Sequence, residues 1–232
     1  MKYRFKLYKG DEIKFIGHLD LLVAFQRVLK RAGMPIAYSQ GFNPHQLVAF
    51  ASPLSLGLTS TAEYGDFTLK EDLDAEFVME KMNEHMPDGL KITSLVKLAD
   101  GVKNTMSSLE RAEYELYFDS AVTPEDIKAN LENFMARKEI LTMKKTKKGI
   151  NETDIRPDIF WAKDISAEDV AAVKIQVSSG SIRNLKGETF AEAFCNHIGK
   201  EYNKYGVKCV RTEMLMKKGE DEFVPLNYGV ER

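Results

Sequence analysis

The chain opens on an alternation. Tyr3, Phe5 and Leu7 are interleaved with Lys2, Arg4 and Lys6, the period-two signature of a strand with one buried face. A helical pattern follows from about His18 to Ala32, with Leu19, Leu22, Val23, Gln26 and Leu29 along one stripe. Asp20 lies in its first turn, Arg27, Lys30 and Arg31 near its end, Gly33 is placed to cap it, and Pro35 blocks its continuation. Extended segments are predicted at 47–51 and 64–69, a second helix from Asp74 to His85, and a strand at 90–96 after the Pro87-Asp88-Gly89 turn. The order is β-α-β-β-α-β.

The same order returns in the second half. A strand at 113–118 precedes Thr123-Pro124-Glu125-Asp126, a helix start with Thr as N-cap and Pro at the first position, and Ile127, Leu131 and Phe134 mark the buried stripe. Strands are expected at 139–145 and 172–177, separated by an insertion that holds Trp161. Thr189 with Glu192 reads as the capping box of a fourth helix packed through Phe190, Phe194 and Ile198, and 207–216 closes the unit. The expected fold is therefore α+β, with two tandem ferredoxin-like halves, 1–104 and 105–232, mainly antiparallel sheets, and a polar junction at 100–108. Leu22, Val23, Leu29, Phe77, Val78, Met82, Ile127, Leu131, Phe134, Phe194 and Ile198 are the expected core.

Composition narrows the class without fixing it. The 232 residues are 44% hydrophobic and 29% charged, enough for a proper core and a polar surface. No 18-residue apolar run occurs, and the first residues lack a continuous apolar segment, so neither a membrane span nor a signal peptide is expected. Two cysteines, Cys195 and Cys209, are too few for a disulfide framework, a CxxC metal site or the thiolate triad of an iron–sulfur cluster. A reducing cytoplasm, no metal and no cofactor are the expectations. HExxH, GxGxxG and GxxxxGK[ST] motifs are missing.

Net charge is only −2, but its distribution is uneven: residues 1–31 hold eight Lys or Arg against three acids, and residues 63–88 hold nine acids against two lysines. Lys2 and Arg4 on the first strand, with Arg27, Lys30 and Arg31, form a candidate phosphate-binding patch. Lys144, Lys145, Lys147 and Lys148, followed by Arg156, resemble a hairpin tip that could track a phosphate backbone; Arg183 beside Ser178–Ser181 is a second anion candidate. Solvated lysines on exposed edges account for these patches equally well.

Two short segments are richest in chemistry. His18 and Asp20 open the first helix, where His18 could act as an acid or base and Asp20 could orient it; packing of His18 and a dipole role for Asp20 are the plainer account. Tyr38, Ser39, Gln40, Gly41, Asn43 and His45 form a turn whose side chains can donate to a phosphate or base edge, and Phe42 can stack on a base. Its polar groups could equally satisfy their own backbone. The geometry of strand and helix lengths allows His18, Asp20, Asn43 and His45 to meet in one site.

FIGHLDLLVAFQRVLKRAGMPIAYSQGFNPHQLVAFASPLSLGLTSTAEY resembles the signature of the radical-SAM-linked protein family of bacteria, and the similarity extends through TKKGINETDIRPDI and SSGSIRNLKGETFAEAF. Relatives usually carry a basic residue after GFNPH; here Gln46 follows, which weakens a phosphate-clamp reading of the loop. The resemblance implies a protein encoded beside or fused to radical SAM proteins, near ribosomal or ribonuclease genes, and hence a radical SAM protein and RNA as partners. The expected function is a non-catalytic RNA-binding or adaptor module for RNA- or translation-linked modification. The alternatives are a metal-independent RNA-processing enzyme using His18, His45 and Tyr38, and a protein-only scaffold.

Overall fold

The computed structural model describes residues 1–146 and 149–231. In chain order the elements are β1 (Lys2–Lys9), α1 (His18–Arg31), β2 (Val48–Phe50), β3 (Thr59–Thr68), α2 (Ala75–Asn83), β4 (Leu90–Lys97), a short α3 (Thr105–Ser108), β5 (Leu109–Tyr117), α4 (Pro124–Ala136), β6 (Leu141–Thr146), β7 (Gly149–Asp154), β8 (Ile159–Asp164), β9 (Ala172–Ser178), α5 (Gly187–His197), β10 (Lys208–Lys217) and β11 (Phe223–Pro225). The protein is mixed α+β with a mainly antiparallel sheet. It divides into two compact units, Met1–Glu110 with Glu213–Arg232, and Arg111–Thr212.

In the first unit the strand order is β4-β1-β3, with β2 pairing with β3, and all three pairings are antiparallel. Tyr3, Phe5 and Leu7 pack with Phe25, Val28 and Leu29 of α1 and Val78 and Met82 of α2. Phe5 is the hub: its ring lies 4.4 Å from Phe25 and 5.1 Å from Phe50, in stacked and edge-on arrangements that suit ring quadrupoles. Gly65, opposite Phe5 in the register, is required there, because a Cβ would stand 2.3 Å from the Phe5 ring and 2.5 Å from the Ala49 carbonyl. The buried stripe of α1 is Leu21, Phe25, Val28 and Leu29; Leu19 and Val23 are exposed and Leu22 is half-buried. This stripe is displaced from the expected one because the Leu-rich start of α1 supports two apolar arcs, and the aromatic hub selects the one containing Phe25. Phe77 is likewise exposed, with Val78 and Met82 carrying the contact of α2.

In the second unit, which takes β5 from Arg111 and β10 up to Thr212, the order is β10-β5-β9-β8. Phe134 of α4 meets Phe190 and Phe194 of α5 edge-on, both at 5.4 Å. Thr123 and Asp126 form the capping box that starts α4. Two expectations change here. Trp161 lies on β8, a strand paired with β9, whereas β6 (Leu141–Thr146) and β7 (Gly149–Asp154) pair with each other as a separate two-stranded sheet. Both segments alternate well enough to be strands, and pairing with β9 decides which joins the sheet. The fourth long helix starts at Gly187 with Lys186 as N-cap and no side-chain cap bond, so Thr189 is a helix-interior residue and not a cap. Ile198 is half-buried.

Candidate functional site

Residues 37–47 form a narrow hairpin. Leu47 N donates to Ala37 O at 2.9 Å, Ser39 N to His45 O at 2.8 Å, and Tyr38 and Gln46 are bridged between them. Its base is stitched to the end of β3, with Ala37 N donating to Thr68 O at 2.8 Å and Thr68 N to Leu47 O at 3.0 Å. Ser39 closes the stem: its Oγ accepts from His45 N at 3.1 Å and is hydrogen-bonded to His45 Nδ1 at 2.8 Å. Gly41 takes φ 117°, which side-chain-bearing residues rarely adopt, and so turns the chain at the tip. The stem holds Phe42 entirely in solvent, at 111% relative exposure, with Asn43 and His45 exposed beside it.

His18 stands on the first turn of α1, its ring edge-on to Phe50 at 5.8 Å. Asp20 is exposed on the same turn. The two imidazoles are thus held by different neighbours, His18 by Phe50 and His45 by Ser39. Tyr38, Phe42, Asn43 and His45 share the hairpin.

The basic candidates separate sharply. Arg27, Lys30 and Arg31 are exposed on α1, away from its buried stripe, and Lys2 is exposed at the start of β1. Arg4 is not a surface cation: it is fully buried, paired with Asp66, and donates to Leu226 O and Lys103 O, both at 2.7 Å. Nor is the face it shares with Lys6 an open basic platform. Lys6 is ion-paired with Glu213 at 2.7 Å, and Tyr64, cross-strand from Lys6, is buried against Leu109, Met214 and Leu226. Burial beside Glu213 raises the Tyr64 hydroxyl's pKa far above its ordinary range, and that hydroxyl donates to Glu213 Oε1 at 2.8 Å. In the second unit Arg156 is structural, with Nε donating to Met135 O at 3.1 Å and Nη1 to Ile159 O at 2.9 Å. Arg183 is held by Asp158 at 2.6 Å. Lys144 and Lys145 lie on the β6 backbone, and Lys147 and Lys148 fall outside the described residues.

The cysteines are poor nucleophiles. Burial pushes the Cys195 thiol up to about 11 and Cys209 well above its usual value. Burial, and then Arg137, lowers the His197 pKa, with the ring packed on Phe134.

Sequence reasoning notes Gln46 only as a departure after GFNPH and misses its burial. It is only 5% exposed, lines a groove of about 390 Å³ at the hairpin base, and its Oε1 has no hydrogen-bond partner among the described residues. Its polar neighbours in sequence mark it as loop, while the bridge to Tyr38 turns it inward.

Residues 2–187 match the family described as an uncharacterised protein conserved in bacteria, DUF2344. No curated protein matches the sequence. Among solved structures, a Cbf5-Nop10-Gar1 complex is similar at TM-score 0.45 and 10% identity over 90% of this chain and 49% of that one. An archaeal box H/ACA sRNP Nop10-Cbf5 complex is similar at TM-score 0.47 and 9% identity over 91% and 47%. The chain therefore spans about half the length of those chains. A protein of unknown function from Galdieria sulphuraria is similar at TM-score 0.25 and 12% identity, covering 90% and 95%. Among the described residues, no helix is long and apolar enough to cross a membrane.

Proposed function

The chain belongs to the DUF2344 family of uncharacterised proteins conserved in bacteria, and on that premise we propose that it is a non-catalytic module that binds single-stranded RNA. Phe42 carries this reading. An aromatic ring wholly in solvent costs free energy that no packing within the described residues offsets, and a stiff hairpin presents it beside Asn43 and His45. Such a ring is a stacking platform for any unpaired base, with the neighbouring polar groups available to phosphate or base edge. Arg27, Lys30 and Arg31 add exposed positive charge on α1 of the same unit.

The strand orders β4-β1-β3-β2 and β10-β5-β9-β8, each built from a strand-helix-strand-strand-helix-strand run, support reading both units as ferredoxin-like. The HLD and GFNPH segments support the further reading that the module presents RNA to a radical SAM partner, in a reducing compartment where two unpaired cysteines stay inert. Fluorescence anisotropy with a labelled single-stranded oligoribonucleotide tests the proposal. Phe42→Ala should lose about 1–3 kcal/mol of binding, the worth of one base stack, with unchanged melting temperature. Equal affinity in wild type and variant would remove the hairpin from the site, and a wild type that binds no RNA would remove the function.

A further inference from the structure

We infer that the groove at the base of the hairpin holds the base of a single unstacked nucleotide against the Gln46 carboxamide. This inference rests on the RNA reading and names what the protein would grip beyond the stacking ring.

Gln46 is only 5% exposed, and a buried carboxamide oxygen is costly unless it is matched, because desolvation of an amide is recovered only through hydrogen bonds. Gln46 Oε1 has no donor among the described residues. The groove it lines, about 390 Å³, lies within the range of small-ligand sites. Val48, Leu98 and Val102 supply apolar walls suited to the face of a planar ring. Lys2 brings an exposed ammonium to the same groove, within the chemistry of a phosphate. Asp66, also on the wall, does not oppose an anion as a free carboxylate would, since Arg4 pairs with it and Thr105 N donates to it at 2.9 Å. An amide offers one acceptor beside one donor, and nucleobase edges offer the complementary donor beside an acceptor; this is how Gln reads a base bidentately. The hairpin joins the two parts of the site: His45 borders the groove and follows the tip that carries Phe42.

The full chain, wild type and Gln46→Leu, is titrated with adenosine 5′-monophosphate and with uridine 5′-monophosphate by calorimetry and amide chemical-shift mapping. At least one mononucleotide should bind the wild type, shift the amides of Val48, Leu98 and Val102, and bind Gln46→Leu about tenfold more weakly. The melting temperature of Gln46→Leu should be unchanged or higher, since an unmatched polar group is removed. If Gln46→Leu does not fold, Gln46→Met, of similar length but with neither amide donor nor acceptor, should show the same weakening. Equal binding by wild type and variant, or no binding of either mononucleotide by the wild type, overturns the inference. An oligoribonucleotide held through Phe42 by a protein that ignores both mononucleotides refutes the groove alone. Mononucleotide binding without oligoribonucleotide binding refutes the RNA reading and leaves a nucleotide site.

Discussion

Arg4 and Asp66 are direct cross-strand partners on β1 and β3, and their side chains meet as a two-pronged ion pair, Nε to Oδ1 at 2.8 Å and Nη2 to Oδ2 at 3.2 Å. The guanidinium is fully buried and the carboxylate is 13% exposed. Removing one partner leaves the other charge buried with no counter-ion, which costs far more than the intact pair contributes. Asp66→Ala should therefore lose about 3–5 kcal/mol of stability in urea denaturation. A loss below about 1 kcal/mol, the value of an exposed pair, would show that Arg4 reaches solvent.

Gly65 has no room for a side chain. Gly65→Ala sets a methyl group against the Phe5 ring and the Ala49 carbonyl at once, so both the aromatic hub and the β2–β3 pairing must shift. The expected cost is about 1–3 kcal/mol, as is usual for overpacking, measured by thermal melting; a neutral variant would place the Phe5 ring elsewhere.

Charge on α1 should set the salt dependence of RNA binding. Replacing Arg27, Lys30 and Arg31 together by Ala leaves the buried stripe intact, so stability should hold while affinity falls. The slope of log affinity against log salt should flatten by about 0.7 for each phosphate that is no longer neutralised. Arg4 has no place in such a variant, since its removal would disturb the core instead. An unchanged slope in a folded protein would place the phosphate-binding cations off α1.

The second unit should weaken in acid through the start of α4. The Lys200 ammonium, and then the Thr123 backbone N–H, hold the Asp126 carboxyl below its ordinary range. In the pH window below 3.8 the unfolded chain binds this proton more readily than the folded one. Stability from this group is thus complete above that window and is lost as pH falls through the lower folded value. Denaturation at pH 7 and pH 3 should show Asp126→Asn less stable than wild type at pH 7 but with a smaller further loss in acid. Thr123→Ala, which breaks the other half of the cap, should cost about 0.5–2 kcal/mol at pH 7.

Signals in the sequence are legible where local physics decides. The alternation of β1, the Pro87-Asp88-Gly89 turn and the Thr123 cap each act over a few residues, and the structure has all three elements. What stays hidden depends on distant partners. Arg4 sits on the polar side of an alternating strand, which reads as solvent; its burial comes from Lys103 and Leu226, 99 and 222 residues away. Trp161 reads as part of an insertion because strand patterning does not say which strand β9 accepts. The hairpin tip is readable as a cluster of donors, but Ser39 is not readable as the residue that occupies His45, and Gln46 is hidden by its polar neighbours.

The return of 213–232 to the first unit sets a schedule for synthesis. Arg4 and Tyr64 are made before the second unit, yet Leu226 O, Glu213 and Asn227, which accept hydrogen bonds from their side chains, are made after it. While the second unit is being translated, the first carries a buried-to-be guanidinium with one acceptor still unmade. A growing chain can therefore finish its second unit before its first, reversing the usual N-to-C order of folding.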